Sequence, residues 1–342
     1  MKLKNKFAIG CLIQWYEIEM IEEYLQSVKN SVDFVDNKKN IVIDLYFNCS
    51  QALEKTDEEQ ITISEIKDKY FGLLKSIFKY DEDTVNLVGC EYNIKSIIDN
   101  NNDGLYTIAN YRRDFNNQYC NEVDVLMWGE SDSLIPRQTF EILDNLHGQV
   151  KRQTPKYVSF FSTCKMWDDS WKVLEHPEFT DKPFYDSPDD FKPDEHWWSL
   201  RYSMNIDEMN SFNDKVEDLD IKVLNQHKFN GCGLVISSEV IKAGVNIPRS
   251  VFFVHEDTSF MIVLQKLLGL IPQYIIKNIL LVHNRNHPKK RMYVKDERLD
   301  GTMNEKRRSN NWYVRANEMS EKNCYNSLNP NYKAFTWDDV WK

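Results

Sequence analysis

Strand and helix patterns alternate through the first 130 residues, and this alternation constrains the fold more than any other feature of the sequence. Apolar runs of strand length alternate with segments whose apolar residues recur at helical spacing. Such alternation favours a mostly parallel sheet with helices on both faces. We therefore predict an α/β fold, a three-layer αβα sandwich around a mostly parallel central sheet. The predicted strands are 7–13, 41–47, 84–89 and 123–128, and the predicted helices are 17–32, 63–78 and 105–119.

The composition indicates a folded protein from a reducing compartment. A length of 342 residues suffices for one large α/β domain or two smaller ones. A hydrophobic content of 42%, with 13% aromatic residues, excludes a largely disordered chain. The seven cysteines show no CxxC spacing, so neither a zinc knuckle nor a disulfide framework is indicated.

The N-terminal apolar run predicts a strand and not a signal peptide. It is interrupted at Gln14 and meets Glu17 and Glu19 before any small-residue cleavage site. No apolar run in the chain reaches the roughly 18 residues needed to span a bilayer. We therefore expect a soluble cytoplasmic protein without membrane insertion, located in the host cytoplasm if the protein is viral.

Two oppositely charged segments mark the second half of the chain. Residues 175–220 hold fourteen acidic and four basic residues, a local charge of −10, within an aromatic stretch (165–220) expected to be an insertion packed over the sheet. Residues 277–315 hold eleven basic and four acidic residues, a local charge of +7, which permits an anionic partner. We predict one domain over 1–290 and a basic extension, 291–342, that packs on it. Further strands are predicted at 156–163, 231–237, 252–254 and 279–282, and further helices after Pro136 and at 258–268.

Two carboxylates follow the strand predicted at 123–128. Glu130 and Asp132 are separated by one residue, and a turn follows at Pro136. In a strand buried on both faces, charge is first tolerated at the carboxyl end, where open α/β sheets bind their ligands. Two oxygen-rich side chains there suit a hard divalent cation, which can in turn hold a diphosphate. The alternative interpretation is a strand that simply runs into a polar loop.

The order of these parts resembles the GT-A glycosyltransferases, nucleotide-sugar enzymes built on one αβα sandwich. The resemblance covers about residues 7 to 290, and a bacteriophage-type DNA-modifying enzyme is one candidate within that family. Two departures are a glutamate, Glu130, in place of the first Asp of the DxD motif, and a second strand that ends in Asn48 without the usual Asp. The matching segments are FAIGCLIQ (7–14), YRRDF (111–115), ESD (130–132), GCGLVIS (231–237), HED (255–257) and the histidine at 283.

The resemblance implies roles for particular residues. Mn²⁺ or Mg²⁺ would be held by Glu130, Asp132 and His283, and an imidazole ligand favours Mn²⁺. The general base would be Asp257, with Glu256 as the alternative. Donor binding is assigned to Gln14, Trp15, Glu17, Asn48, Arg112, Arg113 and Asp132, and acceptor binding to Trp197, Trp198, Gly231 and Gly233 in and after the insertion.

Each of these residues also has a simpler structural interpretation. Carboxylates at the start of a helix, such as Glu256 and Asp257, are favoured there as caps and by the helix dipole. Trp15 is at least as often a buried core aromatic as a stacking platform, and residues such as Trp197 and Trp198 more often form an insertion's own small core. The remaining alternatives are an exposed helix face for Arg112 or Arg113, a turn at Gly231 and Gly233, a solvated His283 and a solvated basic tail.

The predicted function is a metal-dependent glycosyltransferase, a hexosyl- or pentosyltransferase. The sugar would pass from a nucleotide-sugar, with UDP as the expected nucleotide, to a hydroxyl of a saccharide or glycan, or to a hydroxymethylated base in DNA. A steep loss of acceptor affinity with salt would favour DNA. The alternatives are a sugar nucleotidyltransferase, which would need a glycine-rich basic loop after the first strand, and a catalytically inactive carbohydrate- or nucleotide-binding protein.

Overall fold

The structure, a computed structural model, describes most of the chain around one sheet. The described residues are 1–49, 61–80, 91–99, 105–163, 174, 176–179, 204–284, 289–290, 292–293 and 311–342. None of the helices in these ranges combines the length and apolar character that crossing a membrane requires.

Nine strands in the described ranges form a single sheet, in the order β3-β2-β1-β4-β8-β6-β9-β5, with β7 also on β9. The long pairings, β1 with β2, β2 with β3 and β6 with β9, are parallel, as is that of β1 with β4. The antiparallel pairings join only two or three residues each. The strands are β1 Phe7–Gln14, β2 Ile41–Asn48, β3 Asn93–Asp99, β4 Val125–Trp128, β5 Ser133–Leu134, β6 Val158–Thr163, β7 Ile221–Val223, β8 Val235–Ser237 and β9 Gln273–His283.

Helices cover both faces of the sheet. On β1, the side chains of Phe7 and Ile9 pack in one apolar cluster with α1, α2 and α4, whereas Ala8 and Leu12 pack in a second cluster with α3, α6 and α7. Successive residues of a strand point to opposite faces, so these two clusters are the two layers that enclose the sheet. The predicted three-layer α/β fold is therefore confirmed. The helices are α1 Ile21–Asp33, α2 Ile63–Phe78, α3 Ile108–Tyr119, α4 Thr139–Val150, α5 Ile206–Asn213, α6 Ser238–Lys242, α7 Glu256–Leu268, α8 Asn311–Asn326 and α9 Trp337–Trp341.

Three predicted strands need correction or qualification. The segment 252–254 is not a strand, because Phe252 and Phe253 pack in a small cluster with α8 and α9 instead of pairing with the sheet. The last strand is longer than predicted, since β9 begins at Gln273. Residues 84–89 lie outside the described ranges, and the strand that pairs with β2 is β3.

The described parts of the 165–220 insertion and of the 291–342 extension pack on this sheet and its helices. In the 165–220 insertion, α5 is tied to β9 because Asn213 exchanges two hydrogen bonds with the backbone of Leu280, at 2.9 and 2.8 Å. Most of the insertion, including Trp197 and Trp198, lies outside the described residues. In the 291–342 extension, α8 contacts the main domain through Ser320, whose hydroxyl donates to the Val254 carbonyl at 2.6 Å.

The topology brings distant residues to one edge of the sheet. Because β1, β2 and β4 are parallel, their carboxyl ends meet there, and Gln14 lies opposite Asn48 in the β1–β2 register. After β4 the chain forms the short strand β5, in which Ser133 pairs with His283 of β9. The Asn284 amide also donates to the Asp132 carbonyl at 2.7 Å. This short antiparallel pairing holds the end of β9 beside the residues that follow β4.

Gly129, the first residue after β4, allows a close approach that fixes this edge. Its amide donates to the Gly10 carbonyl at 2.7 Å, and a β-carbon at this position would lie 2.1 Å from the hydroxyl of the buried Tyr24. We expect Gly129→Ala to lower the free energy of unfolding by about 1–3 kcal/mol, because the packed neighbours must move. Urea unfolding measures this change.

Gly148→Ala is the matched control. Gly148 lies within α4, and a β-carbon there would meet nothing within 4 Å. Alanine is the better helix former by about 1 kcal/mol, so this variant should be neutral or slightly stabilised. Equal destabilisation of the two variants would contradict the steric explanation for Gly129.

Candidate active site

Two carboxylates and an imidazole converge after β4. His283 Nε2 lies 3.0 Å from Glu130 Oε2 and 3.2 Å from Asp132 Oδ1. All three side chains are wholly or largely buried. The β5–β9 pairing produces this arrangement, because it sets His283 opposite Ser133, the residue after Asp132. The structure thus brings together the three residues that the sequence predicted as cation ligands.

Arg112 of α3 joins Glu130 to the start of α7. Its Nη2 donates to Glu130 Oε1 at 2.8 Å and its Nη1 donates to Glu256 Oε1 at 2.5 Å. The guanidinium carbon also lies 4.8 Å from the centre of the Trp128 ring, and the side chain is 2% exposed. Each Glu130 oxygen therefore has a different neighbour, since Oε1 meets the guanidinium and Oε2 meets the imidazole.

Gly231 makes room for this guanidinium. A β-carbon on Gly231 would lie 2.5 Å from Arg112 Nη1 and 3.3 Å from the Asp257 β-carbon. The predicted acceptor residue Gly231 thus lies against the ion pairs. The predicted acceptor residue Gly233 lies in the turn before β8 with a φ of +69° and faces Leu281, where a β-carbon would lie 2.6 Å from Cδ1.

Lys290 brings a second cation into the site from the basic segment. Its Nζ lies 3.0 Å from Asp132 Oδ2 and 3.7 Å from Glu17 Oε1. In the sequence, Lys290 is part of a basic run after the last strand. Nothing in that run distinguishes a buried lysine from an exposed one. Lys290 and Glu17 therefore extend the site toward the end of β1.

Neighbouring positive charges keep the two predicted cation ligands ionised. Burial alone would raise the pKa of Glu130, but His283 and Arg112 outweigh burial and hold that pKa well below its usual range. Burial opposes ionisation of Asp132 in the same way, and Lys290 and His283 lower its pKa well below the usual value. Both side chains thus present charged oxygens near neutral pH.

Glu256 and Asp257 differ in their surroundings, although they are adjacent in α7. Glu256 is buried against Arg112, and burial raises its pKa to about 7 despite that guanidinium. Asp257 is half-buried, and its Oδ1 accepts from the amide of Thr258 at 2.6 Å. The Glu256 carboxyl group accepts a hydrogen bond from Arg112, and the Asp257 carboxylate lies at the helix start beside Gly231.

The predicted donor residues divide into two groups. Gln14 and Asn48 meet at the carboxyl ends of β1 and β2, where Asn48 Nδ2 donates to Gln14 Oε1 at 3.1 Å. Glu17 follows in a short 3₁₀ turn, accepts from the Gln14 amide at 3.0 Å and contacts Lys290. These residues lie on the side of the site toward Asp132.

Three further residues predicted for donor binding lie in other contacts of the fold. Trp15 is 1% exposed and belongs to the main apolar cluster, so it offers no ring face for stacking on a base. Both terminal nitrogens of Arg112 already donate to carboxylates. Arg113 donates to the Pro248 carbonyl at 3.3 Å. The predicted acceptor residues Trp197 and Trp198 lie outside the described ranges.

The donor atoms suit a divalent cation. Carboxylate oxygens of Glu130 and Asp132 each lie within about hydrogen-bonding distance of the His283 imidazole nitrogen at a buried edge of the sheet. A cation of the chain itself, Lys290, already contacts the outer oxygen of Asp132. One further potential ligand, the thiol of Cys232, joins Glu130 and His283 within 4.8 Å. No sequence pattern marked Cys232 as a ligand, although it stands between Gly231 and Gly233.

The raised pKa of Glu256 should make the free energy of unfolding depend on pH. Between pH 5 and 7 this side chain keeps its proton in the folded state (pKa about 7) but is ionised in the unfolded chain (ordinary value 4.5). Unfolding then releases a proton, so this group makes stability fall as the pH rises, by up to about 1.4 kcal/mol per pH unit. Urea unfolding of Glu256→Gln at pH 5, 6 and 7 should lack this decline.

The control for that series is Glu239→Gln, on an exposed position of α6. It should keep the pH dependence of the unmodified protein. An unchanged slope in Glu256→Gln would show that Glu256 is ionised throughout this range.

Comparisons with known proteins give low similarities. Neither a family model nor a curated protein matches the sequence. Among solved structures, the chain is similar to residues 1–349 of S. aureus TarS, with 14% identity and a TM-score of 0.45 over 82% of this chain and 60% of that one. A longer S. aureus TarS structure gives 14% identity and a TM-score of 0.46, and there the chain spans 36% of its neighbour. A mycobacterial protein gives 7% identity and a TM-score of 0.39 over 93% of this chain and 75% of that one. Likenesses of this size leave the function to be inferred from the site itself.

Proposed function

We propose that this protein is a metal-dependent glycosyltransferase that moves a sugar from a nucleotide-sugar, with UDP as the expected nucleotide, to an acceptor hydroxyl. The observation that carries the proposal is the convergence of Glu130, Asp132 and His283 at the carboxyl edge of a mostly parallel sheet. Ligands of open α/β sheets bind at that edge. Carboxylates held ionised there favour a cation with a phosphorylated ligand over a neutral metabolite.

Glu130, Asp132 and His283 are the residues that would hold Mn²⁺ or Mg²⁺. Such a cation, when bound, neutralises the charge that develops on a leaving diphosphate. Lys290 adds a positive charge on the outer side of Asp132, at 3.0 Å. Gln14, Glu17 and Asn48, at the ends of β1 and β2, line the side of the site proposed for the nucleotide.

Arg112 positions two groups at once in this proposal. Its bond to Glu130 Oε1 fixes one carboxylate oxygen and directs the other toward His283. Its bond to Glu256 fixes the first turn of α7 and with it the neighbouring Asp257. Because the guanidinium is planar and binds through two nitrogens, lysine would not reproduce both contacts.

Asp257 is the proposed general base. It is half-buried beside Gly231, at the start of α7, whereas Glu256 is engaged by Arg112. In the proposed step the acceptor hydroxyl gives its proton to the Asp257 carboxylate as the hydroxyl oxygen bonds to the anomeric carbon and the bond to the diphosphate breaks. A base in reach typically contributes about 10² to 10⁴ in rate. Glu256 is the alternative base, because its raised pKa of about 7 also suits proton transfer.

The acceptor class is the finer part of the proposal. A saccharide or glycan is the first candidate, and DNA with a hydroxymethylated base is the second. The basic residues 306–308, which favour DNA, lie outside the described ranges, and the described Lys290 turns inward to Asp132. Loss of acceptor binding as salt is raised would distinguish DNA from a neutral glycan.

Nucleotide release from UDP-, GDP- and CMP-sugars with Mn²⁺ tests the proposal. We expect nucleotide release from one of these donor classes. The same assay is then repeated with the variants Asp132→Asn and Asp257→Asn. Asp132→Asn should weaken donor binding in the presence of Mn²⁺, because a cation ligand is lost. Asp257→Asn should leave the donor Kd within about twofold and lower the rate about 10²- to 10⁴-fold. Its amide oxygen can still accept from Thr258, so the helix start is preserved.

Asp207→Asn is the matched control, since Asp207 is an exposed aspartate in the first turn of α5. It should leave both donor binding and rate unchanged. Folded protein that releases nucleotide from no donor would contradict the enzyme proposal and favour an inactive binding protein. Release of pyrophosphate on incubation with a sugar phosphate and a nucleoside triphosphate would instead favour a sugar nucleotidyltransferase.

A further inference from the structure

The thiol of Cys232 is a potential ligand that the proposed transfer does not use. Cys232 is 4% exposed and lies directly before β8, in the turn that carries Gly231 and Gly233. Its Sγ, a carboxylate oxygen of Glu130 and a ring nitrogen of His283 all lie within 4.8 Å of one another. Sulfur, oxygen and nitrogen donors from three separate parts of the chain therefore face a common point.

The backbone around Cys232 is held on both sides. The Cys232 amide donates to Asn230 Oδ1 at 3.2 Å, and Asn230 Nδ2 donates to the Cys232 carbonyl at 3.2 Å. The next amide, that of Gly233, donates to the Trp128 carbonyl at 3.1 Å. The backbone that carries the thiol is therefore fixed relative to the end of β4, two residues before Glu130.

The two partners of this thiol are also fixed. Glu130 is held through its other oxygen by Arg112, at 2.8 Å, and His283 is held by the pairing of β9 with β5. In a tetrahedral site with ligand distances of 2.0–2.3 Å, the ligand atoms are about 3.3–3.8 Å apart. The three atoms, all within 4.8 Å of one another, already lie close to these separations.

Sulfur changes the kind of cation that such a site accepts. Mg²⁺ takes oxygen ligands and keeps its water, whereas thiolate and imidazole ligands favour Zn²⁺ and Co²⁺. Carboxylate oxygens alone also suit Mg²⁺. The thiol and imidazole therefore add a preference for Zn²⁺ and Co²⁺ over Mg²⁺.

We propose that Cys232, together with Glu130 and His283, forms a mixed sulfur, nitrogen and oxygen site for a borderline-soft divalent cation such as Zn²⁺ or Co²⁺. This inference rests on the cation-binding part of the proposed function and narrows its choice of metal away from Mg²⁺. On binding, the thiol gives its proton to solvent and the resulting thiolate bonds to the cation, and His283 likewise gives up the proton on its coordinating nitrogen, so the cation replaces a proton on each of these two ligand atoms. No oxidant or reductant takes part.

Titration of the full chain with Co²⁺, without added thiols, tests this proposal. A thiolate ligand gives Co²⁺ an intense sulfur-to-metal charge-transfer absorption in the near ultraviolet. We expect this band to saturate at one equivalent. Cys232→Ser should lose it and bind Co²⁺ at least about tenfold more weakly. Zn²⁺ should remove the band at near-stoichiometric amounts, and a large excess of Mg²⁺ should leave it.

Cys120→Ser is the matched control, because Cys120 is a buried thiol at the end of α3 that is not part of the ligand group. It should keep the full band. Co²⁺ bound without the band, or a band that persists in Cys232→Ser, would overturn the proposal. Thermal unfolding without metal shows whether Cys232→Ser is folded, and Cys232→Ala provides a second variant that cannot donate an oxygen.

This test separates the metal from the transfer reaction. A thiolate band in a protein that releases nucleotide from no donor would uphold the cation site and contradict the proposed transfer. Nucleotide release that Mg²⁺ supports as well as Co²⁺, with no band, would uphold the transfer and contradict the sulfur ligand.

Discussion

The site depends on one buried guanidinium between two carboxylates. Arg112 binds Glu130 at the end of β4 and Glu256 at the start of α7, and its side chain is 2% exposed. Removing one partner of a buried ion pair typically costs about 3–5 kcal/mol, because the remaining charge is left without compensation. The packing around the guanidinium reflects this constraint, since Gly231 and Trp128 both lie against it. This interaction joins the sheet to the helix that carries the proposed base.

Much of the sheet follows from local sequence patterns, whereas its edges do not. The helix predicted at 63–78 agrees with α2, Ile63–Phe78, because its apolar residues have a clear helical period. The edge strand β3 escaped prediction since its side chains are half-exposed or exposed, Ile97 among them at 48%, and buried and exposed positions do not alternate clearly. The pair Phe252 and Phe253 has strand composition but is buried by the C-terminal helices instead. A short apolar run alone does not specify its partner.

The site was predictable where its residues lie at strand ends. Glu130 and Asp132 follow an apolar run directly, and the position of such a run predicts where the first charges can stand. The convergence of His283 on them depends on the pairing of β5 with β9, only two residues long, which has no sequence signature. Cys232 and Lys290 were not predicted either. Each reaches the site from a loop, and loops have no periodic sequence pattern that indicates their tertiary contacts. Tertiary contacts of this kind bring side chains into the site without leaving a pattern in the local sequence.

In the proposed function, Glu130, Asp132 and His283 bind a divalent cation and, through it, a nucleotide diphosphate. Calorimetric titration of UDP in the absence and presence of saturating Mn²⁺ tests it most directly. If the cation bridges the protein and the diphosphate, Mn²⁺ should raise the affinity for UDP at least about tenfold, or about 1.4 kcal/mol. By thermodynamic linkage UDP should raise the affinity for Mn²⁺ by the same factor. Equal UDP affinity with and without the cation would contradict the account.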